Sequence, residues 1–324
     1  MTAVRFHGRG DIRVDEVKEP FCGRNKVKMR PAYVGICGSD IHEYMSGPIL
    51  VSKQDYSTGG KETPVTLGHE FSGIIEEVGE DVKGLVKGQR AVVRPTIFDG
   101  KCSACKNGNR HCCENIKFIG LSGMYLPGYG GGMARFIVAP QEHFYILPNN
   151  VSLEAGALVE PLAVAWHAVN LSPFKINDTA LVLGGGPIGI GVIQVLKLQG
   201  AKNIILVELM ENRKKLAKEL GATHIFDPKE CDIPTEVSKV TDKKGADIIF
   251  DSAGVEVALN GIIHACRVHG TIVNIAVWED NPSLDVNDMT YSEINYMGAA
   301  LYDERSFLSV IHALSYGELS LCGV

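Results

Sequence analysis

Three segments of the chain contain side chains of the types that bind zinc. The run GICGSDIHE places a thiol, a hydroxyl and an imidazole within six positions, at Cys37, Ser39 and His42. A Gly-His-Glu triplet follows at residues 68–70, and Glu160 is an acid inside an apolar stretch. A catalytic zinc keeps three ligands from Cys, His and carboxylate side chains and leaves one position open. The residue types predict either such a zinc site or, because they lie far apart in sequence, a buried thiol and a hydrogen-bonded histidine without metal.

A glycine-rich turn predicts a second kind of site, one that binds a dinucleotide. The apolar run Thr179–Leu183 has strand character and stops at GGGPIG, a GxGxxG pattern that opens a helical run. The first glycine of this pattern permits a tight turn, the second lets the backbone approach a pyrophosphate, and the third lets the helix pack closely. The phosphates would lie on the free N–H groups of the helix N-terminus. The candidate cofactor-binding residues of this turn are Gly184, Gly186, Pro187, Ile188 and Gly189.

An acid follows the next strand at the spacing that this motif requires. Asn203–Val207 reads as a second apolar strand, and Glu208 stands at its end, 24 residues after Gly184. Its carboxylate would accept hydrogen bonds from both hydroxyls of an adenosine ribose and would repel a 2′-phosphate. This pattern predicts NAD rather than NADP as the cofactor. The alternative is an ordinary βαβ unit with a glycine turn and a solvated glutamate.

The elements that must position these residues fall into two classes along the chain. The first 150 residues are dense in glycine, proline and short β-like runs and show no helical period, so they predict an all-β domain. Beyond residue 153 strands alternate with helices to about residue 277, which predicts a parallel sheet with helices on both faces. The fold class is therefore α/β, a doubly wound parallel sheet plus a β-rich domain. We predict a catalytic domain at 1–152, completed by 288–324, and a cofactor domain at 153–287.

The individual elements are predicted from apolar periodicity and from the glycines and prolines that interrupt it. The predicted strands are 26–31, 71–78, 89–93, 134–139, 179–183, 203–207, 224–226, 246–250 and 271–276. The predicted helices are 153–171, 190–199, 214–220, 257–267 and 305–317.

Composition and charge argue against several classes of partner. The net charge is −6 and no basic cluster occurs, which argues against nucleic acid. No apolar run approaches the roughly 18 residues of a membrane span, and the N-terminus lacks an apolar signal-peptide core. We expect a cytoplasmic protein without a membrane partner. The nine cysteines are then expected to be thiols or metal ligands rather than disulfides.

The motifs together resemble those of the zinc-dependent medium-chain alcohol and polyol dehydrogenases. The matching motifs are CGSD at 37–40, GHE at 68–70, VEPL at 159–162 and GGGPIG at 184–189, and the resemblance extends over essentially the whole chain. HEYMSGPI at 42–49, VEPLAVAWHAV beginning at residue 159 and NIAVW at 274–278 resemble 2,3-butanediol dehydrogenases more than alcohol or sorbitol dehydrogenases. The resemblance implies a GroES-like catalytic domain and a Rossmann NAD-binding domain.

The same resemblance implies roles for the residues of the first site. Cys37 and His69 are implied as catalytic zinc ligands. Family members differ on whether the acid equivalent to Glu70 or the one equivalent to Glu160 contacts zinc, and either could be bound through water. We favour Glu160 as the third ligand, with Glu70 close behind it. Asp40 is implied as a residue that orients the ligands.

Zinc acting as a Lewis acid would lower the pKa of an alcohol, so that hydride can leave to the nicotinamide. By the resemblance, Ser39 hydrogen-bonds the substrate oxygen and His42 carries the proton through the cofactor ribose to solvent. Imidazole suits such a relay because it titrates near neutral pH. The alternative for His42 is an exposed polar residue without function. Arg213 resembles a basic residue that contacts the adenosine, or is a solvated helix charge, and Ser252 is expected to lie along the cofactor.

A second group of cysteines resembles the structural zinc lobe of the family, which normally supplies four thiolates. Here Asp99 occupies the first position, and Cys102, Cys105 and Cys113 match the other three by spacing. Cys112 is then an additional cysteine. An aspartate oxygen can complete a tetrahedral zinc site. The alternative is a lobe that has lost its metal and keeps reduced thiols, with catalysis unaffected.

These observations predict an NAD-linked, zinc-dependent dehydrogenase of small secondary alcohols, with 2,3-butanediol and acetoin as the favoured pair. A sorbitol- or xylitol-type polyol dehydrogenase is the alternative among enzymes. The resemblance also implies that relatives continue beyond residue 324, so a non-catalytic NAD-binding protein is the alternative outside enzymes. The complete set Cys37, Ser39, His42, His69 and Glu160 argues for catalysis. Relatives assemble through the cofactor domain, so a homodimer or homotetramer is expected.

Overall fold

The computed structural model describes residues 1–51, 64–121, 130–278 and 281–320. The chain separates into two compact units, Met1–Glu160 and Pro161–Val324. The elements of the first unit are mostly short strands. They are β1 Thr2–Gly8, β2 Asp11–Glu16, β3 Lys26–Val34, α1 Gly38–Ser46, β4 Val65–Thr66, β5 Phe71–Val78, β6 Arg90–Val93, β7 Thr96–Ile97, α2 Ser103–Lys106, β8 Lys117–Phe118, β9 Ile137–Pro140, β10 Phe144–Ile146 and α3 Leu153–Ala157.

The described strands of the first unit pair antiparallel in three sheets. The largest has the order β10-β6-β5-β3-β9, and the smaller two are β2-β1-β4 and β7-β8. Buried apolar side chains of the largest sheet, among them Val27, Met29, Phe71 and Ile75, form the core of this unit. Burial of this apolar area is the main stabilising contribution to the sheet. The predicted β-rich first domain is confirmed.

Helix α1, Gly38–Ser46, is the main departure from the prediction that the first 150 residues contain no helix. Its N-cap is Cys37, whose backbone N–H donates to Asp40 Oδ2 at 3.0 Å. An aspartate in the first turn is favourable because its charge complements the positive end of the helix dipole. The helix was missed because it is nine residues long and its N-cap is not one of the usual capping residues.

The second unit alternates strands and helices. Its elements are α4 Val159–Leu171, which begins two residues before the division, β11 Thr179–Leu183, α5 Pro187–Leu198, β12 Asn203–Val207, α6 Glu211–Leu220, β13 His224–Phe226, α7 Ile233–Val240, β14 Ala246–Asp251, α8 Glu256–Ile262, β15 Cys266–Asn274, α9 Val286–Tyr291, β16 Asn295–Gly298 and α10 Glu304–Ser315. The six strands form one parallel sheet of order β13-β12-β11-β14-β15-β16. The predicted doubly wound sheet is confirmed.

The strand order fixes where a ligand can bind in this sheet. The chain runs outward from β11 in one direction to β13 and then returns to β14, which pairs with β11 on its other side. Loops that leave adjacent strands in opposite directions open a crevice at the carboxyl ends of β11 and β14. Side chains of β11 alternate between two cores, with Ala180 and Val182 on one face and Leu181 and Leu183 on the other. Burial on both faces explains why this strand reads as a continuous apolar run.

The division of the chain differs from the predicted domain boundaries at two points. The first unit extends to Glu160 rather than to residue 152. The described part of 288–324 groups with the second unit, in which β16 pairs with β15 along four residues. Residues 321–324 of that predicted segment lie outside the described residues. Among the helices that the structure describes, none combines the length and the apolar character that crossing a membrane requires.

Candidate active site and cofactor-binding turn

The pairing of β3 with β5 brings the first candidate ligands together. Val34, the last residue of β3, lies opposite Phe71, the first residue of β5. Cys37 follows the end of one strand, and His69 and Glu70 precede the start of the other. One ligand atom from each of these three residues lies within 4.8 Å of the other two. Because zinc–ligand bonds are about 2.0–2.3 Å long, donor atoms at such separations fit one ion.

Two residues of helix α1 contact this cluster. Ser39 Oγ lies 3.5 Å from His69 Nε2. Asp40 Oδ1 lies 3.9 Å from His69 Nδ1, too far for a hydrogen bond, and both atoms are buried without a hydrogen-bond partner among the described residues. A carboxylate beside the second nitrogen of a ligating histidine is the usual way in which a zinc ligand is oriented. The predicted position of Asp40 behind the ligands agrees with this geometry.

The charges of the cluster are disfavoured by burial. Burial, followed by the negative charge of Glu70, raises the pKa of Cys37 to about 12. Burial also raises the pKa of Glu70 to about 7 and lowers the pKa of His69 to about 4. All three shifts favour the neutral form of the group, because its charge is costly to bury without a cation to offset it. The cluster offers a thiol, an imidazole and a carboxyl, which is the donor set of a zinc site. Next to it lie two buried atoms that lack a hydrogen-bond partner in the described part of the chain, Asp40 Oδ1 and His69 Nδ1.

The two acids considered as third ligand lie in different positions. Glu70 belongs to the set of close ligand atoms, and Glu160 does not. Glu160 is nevertheless buried, and its charge contributes to raising the pKa of Cys37 after the larger effects of burial and of Glu70. The geometry therefore places Glu70 nearer to the other ligands than our preferred Glu160. His42 lies on α1 one turn after Ser39, so both side chains project from one face of the helix.

The second group of candidate ligands is also brought together. Ligand atoms of Asp99, Cys102, Cys105 and Cys113 lie within 4.8 Å of one another. Cys102 is the N-cap of helix α2, and its thiol accepts a hydrogen bond from the backbone N–H of Cys105 at 3.4 Å. Cys112 is exposed and lies outside this set, as the spacing predicts.

Backbone N–H groups surround the acceptor atoms of this lobe. The N–H groups of Asp99 and Asn115 both point to Cys113 Sγ at 3.4 Å. Backbone hydrogen bonds, the largest from Cys105, lower the pKa of Cys102. The N–H of Lys101, followed by the Asn115 amide, lowers the pKa of Asp99. These hydrogen bonds favour the ionised forms of Cys102 and Asp99, whereas burial raises the pKa of Cys105 to about 12. The four close ligand atoms have the chemistry of a structural zinc site.

The glycine turn has the geometry of a phosphate-binding loop. Gly184 follows β11 with φ of 91°, a conformation that favours glycine. A Cβ at Gly189 would lie 2.0 Å from Gly184 O, so only glycine lets helix α5 approach the strand this closely. Gly186 is the N-cap of α5, Pro187 is its first residue, and a Cβ at Gly186 would point into open space. The helix N-terminus is thus free of side chains where a pyrophosphate would lie.

Glu208 lies beside this turn in a network of backbone donors. Its Oε2 accepts from the N–H of Gly185 at 2.7 Å, and its Oε1 accepts from the N–H groups of Leu209 and Met210 at 2.7 and 2.8 Å. Burial raises the pKa of Glu208, but these three N–H groups together lower it further, so the net shift is downward. Arg213 NH1 lies 3.7 Å from Glu208 Oε2. An ionised carboxylate is therefore held at the end of β12, close to the glycine turn.

Ser252 joins the turn from the neighbouring strand. Its hydroxyl donates to Leu183 O at 3.0 Å and lies 3.2 Å from Gly184 O. The predicted cofactor-binding residues of the second unit are thus assembled at the carboxyl ends of β11, β12 and β14.

Sequence reasoning missed the role of Glu43, a fully buried carboxylate on α1. Its signal was an acid inside the HEYMSGPI motif, two residues before an apolar Met.

Comparison with known proteins identifies the family of both parts of the chain. Residues 23–149 match the model of the alcohol dehydrogenase GroES-like domain, and residues 187–315 match the model of the zinc-binding dehydrogenase family. The chain is 38% identical over 321 residues to (R,R)-butanediol dehydrogenase of Bacillus subtilis (strain 168), with 99% of this chain and 90% of that protein covered.

Solved structures give the same result. The crystal structure of 2R,3R-butanediol dehydrogenase from Bacillus subtilis has a TM-score of 0.88 at 38% identity and covers 98% of this chain and 89% of that one. A zinc-binding dehydrogenase from Sinorhizobium meliloti 1021, bound to NADP, has a TM-score of 0.85 at 29% identity and covers 99% and 90% of the two chains. The GroES-like fold, the oxidoreductase class and the cofactor types, zinc and a nicotinamide dinucleotide, are confirmed.

The chain thus combines a parallel sheet that carries a dinucleotide turn with a β-rich unit that carries a buried Cys-His-Glu cluster. Its similarity to the Bacillus subtilis protein extends over 90% of that protein. The chain belongs to the zinc-binding dehydrogenase family and is an alcohol dehydrogenase of the zinc type.

Proposed function

We propose that this protein catalyses the NAD-linked oxidation of small secondary alcohols and vicinal diols, with 2,3-butanediol and acetoin as the principal pair. The observation that carries the proposal is the cluster of Cys37, His69 and Glu70 ligand atoms with the Ser39 hydroxyl beside it. The choice of diol rests on the similarity to butanediol dehydrogenases.

In this proposal the catalytic zinc is bound by Cys37, His69 and Glu70. Glu160 is the alternative to Glu70 as the third ligand. When bound, zinc acts as a Lewis acid that lowers the pKa of an alcohol hydroxyl, and NAD accepts the hydride. The Ser39 hydroxyl hydrogen-bonds the substrate oxygen and accepts its proton while it donates its own proton onward, and His42, one turn further along α1, takes up the released proton and passes it to solvent. Asp40, whose Oδ1 lies 3.9 Å from His69 Nδ1, helps to orient His69 through its charge.

The preference for NAD follows from the charge and the acceptor atoms of Glu208. Its two carboxylate oxygens can accept hydrogen bonds from the 2′- and 3′-hydroxyls of the adenosine ribose. A 2′-phosphate at that position would lie against an ionised carboxylate, an unfavourable contact. Arg213 lies close to Glu208, and its guanidinium balances part of that charge and can contact the adenosine. We therefore assign NAD rather than NADP to this chain.

Two further features belong to the proposal. A structural zinc is held by Asp99, Cys102, Cys105 and Cys113. The chain assembles as a homodimer or homotetramer through its cofactor domain, since β16 is a largely exposed edge strand that can pair with another chain. Reduced thiols as zinc ligands fit a cytoplasmic location.

A panel of alcohols tests the proposed function. Zinc-loaded protein is assayed for NADH formation with 2,3-butanediol, ethanol, sorbitol and xylitol. We expect kcat/KM to be highest for 2,3-butanediol and at least about tenfold lower for the polyols, because added hydroxyls must be matched by polar groups in the site. A higher kcat/KM for sorbitol or xylitol would assign the chain to the polyol dehydrogenases instead.

A further inference from the structure

Glu43 is a buried acid that the proposed mechanism does not use. Its carboxylate accepts hydrogen bonds from three consecutive backbone N–H groups, those of Ile49, Leu50 and Val51. The bond from Ile49 is 3.0 Å and that from Val51 is also 3.0 Å. None of the Glu43 surface is exposed. A buried carboxylate that receives several charge-assisted hydrogen bonds is strongly held and in turn fixes the donors.

The backbone between the helix and these donors passes very close to Glu43. The N–H of Gly47 donates to Glu43 O at 2.9 Å and ends helix α1. A Cβ at Gly47 would lie 2.3 Å from that oxygen and 2.5 Å from Glu43 Oε2. No side chain fits in this space, so glycine is required for the chain to turn back over the helix.

The contact between the Glu43 carboxylate and the backbone of 49–51, here called the anchor, lies on the face of helix α1 that carries Ser39. Residues four apart on a helix lie on one face, with Cβ atoms about 5–6 Å apart. Ser39 and Glu43 have that spacing, and Ser39 Oγ lies 3.5 Å from His69 Nε2. The charge of Glu43 also contributes to raising the pKa of Asp40, although burial is the larger cause. The segment 49–51 is therefore attached to the helix one turn beyond Ser39.

The segment presents apolar side chains even though its backbone is held by a carboxylate. Ile49 and Leu50 are 47% and 46% exposed. On the helix itself Ile41 and Met45, four residues apart, are 54% and 58% exposed. Apolar side chains are the usual lining of a small-molecule site, and those of segment 49–51 are held one helical turn from Ser39.

We propose that Glu43 is a positioning residue that fixes segment 49–51, so that Ile49 and Leu50 form an apolar wall for the carbon chain of the alcohol. This inference rests on the proposed function and deepens it, because it assigns the discrimination between alcohols to a particular segment. Glu43 does not touch the substrate. It acts through the backbone that it holds.

Substitutions of different kinds should weaken the same anchor. In Glu43→Gln one amide oxygen can still accept, but the NH₂ group faces a backbone N–H and leaves a donor unsatisfied. Gly47→Ala leaves the carboxylate intact and forces the turn away from it. Leu50→Ala trims the proposed wall without touching the anchor. Glu154→Gln, an exposed acid of the same unit, is the matched control.

The test compares the ratio of kcat/KM for 2,3-butanediol to that for ethanol in zinc-loaded parent and variants. We expect Glu43→Gln, Gly47→Ala and Leu50→Ala each to lower this ratio about tenfold, through KM of the diol, with kcat and bound zinc nearly unchanged. Ethanol should be little affected because its chain is too short to use the wall. Amide hydrogen exchange in the peptide 44–51 should become faster in the first two variants and remain unchanged in Glu154→Gln.

Three results would overturn this inference. An unchanged ratio in Leu50→Ala, or equal losses for both alcohols in Glu43→Gln, would show that segment 49–51 does not select the substrate. Unchanged amide exchange in both anchor variants would show that Glu43 does not hold the segment. The proposed function fails separately, in the parent protein, if that protein prefers a polyol or oxidises no alcohol of the panel.

Discussion

At the scale of single residues, the catalytic cluster consists of three donor side chains, Cys37, His69 and Glu70. Burial disfavours the charged form of each of them. Cys37 is the central member because it is both a ligand and the N-cap of helix α1. Outer contacts of a zinc ligand alone change metal affinity or activity by about 10–100-fold, so loss of a ligand itself should cost more.

We predict that Cys37→Ala lowers kcat/KM by more than about a hundredfold and lowers bound zinc by one per chain. The reason is that alanine removes the thiolate and leaves His69 and Glu70 with too few ligands. Zinc would be measured by elemental analysis on the sample used for kinetics, with Cys112→Ala, an exposed cysteine, as the control. Parent-like activity in Cys37→Ala would remove this cluster from the mechanism.

Protons released on zinc binding distinguish Glu70 from Glu160 as the third ligand. With its pKa raised to about 7, Glu70 is mostly protonated at pH 6 and mostly ionised at pH 8. Cys37 has a pKa of about 12 and is protonated at both pH 6 and pH 8. His69 has a pKa of about 4 and is unprotonated at both. Binding zinc must displace the protons that its ligands carry.

We predict that zinc binding to chelator-treated protein releases about one proton more at pH 6 than at pH 8, because Glu70 gives up its proton only at the lower pH. Calorimetry in two buffers of different ionisation enthalpy measures this number. The extra proton should be absent in Glu70→Gln and present in Glu160→Gln. The reverse pattern would restore Glu160 as the ligand.

Glu208 carries the prediction on cofactor choice. Because a hydrogen bond to a charged group contributes about 1.5–3 kcal/mol, Glu208→Ala should reduce the preference for NAD over NADP at least about tenfold. The measurement is kcat/KM for each cofactor at saturating alcohol, with Glu211→Ala on the next helix as the control. Unchanged selectivity would mean that the carboxylate does not contact the ribose.

At the scale of elements, the structural lobe contains the short helix α2. Helix α2 has four residues, and its N-cap Cys102 is one of the candidate ligands. Metal binding in such a segment contributes directly to folding, because no preformed site exists in the unfolded chain. The lobe and the catalytic cluster have separate ligand sets.

Cys102→Ser should therefore remove one zinc per chain and lower the melting temperature by several degrees, while kcat/KM stays within a few-fold of the parent value. Calorimetry and elemental analysis on one preparation test both parts. A full loss of turnover with the catalytic zinc retained would show that the lobe supports the chemistry. An unchanged zinc content would mean that the lobe binds none.

The elements also show what the sequence could predict. Strands 179–183, 203–207 and 224–226 have the predicted limits. The first two are buried parallel strands, which are continuous apolar runs bounded by turns. The predicted helix 257–267 ends earlier, at Ile262, and strand β15 begins at Cys266 rather than at 271, because apolar residues there fit both periods. Strand β16 was not predicted, since it is short and largely exposed.

At the scale of the whole molecule, sequence patterns were sufficient for the class of fold, and they named candidate ligands that the structure brings together in two clusters. They were insufficient for choosing between Glu70 and Glu160, which depends on how β3 and β5 align. The role of Glu43 also depends on tertiary contacts, because its hydrogen bonds are made to a turn that closes over the helix. Local patterns identify residue types, whereas distances between segments require the fold.

The residues assigned to NAD lie in the second unit, and the catalytic ligands lie in the first. Chelation of zinc should therefore abolish turnover and leave NADH affinity within a few-fold of the parent value. Fluorescence titration of NADH before and after chelation measures this affinity. Loss of NADH binding together with zinc would show that the metal supports the cofactor site.

The central claim is that zinc held by Cys37, His69 and Glu70 is required for NAD-linked oxidation of an alcohol. The most direct measurement follows NADH formation from 2,3-butanediol while zinc is added back to chelated Cys102→Ser protein, in which only the catalytic site remains. We predict that activity rises in proportion to zinc and stops rising at about one zinc per chain. Activity that is independent of added zinc, or absent at full occupancy, would contradict this claim.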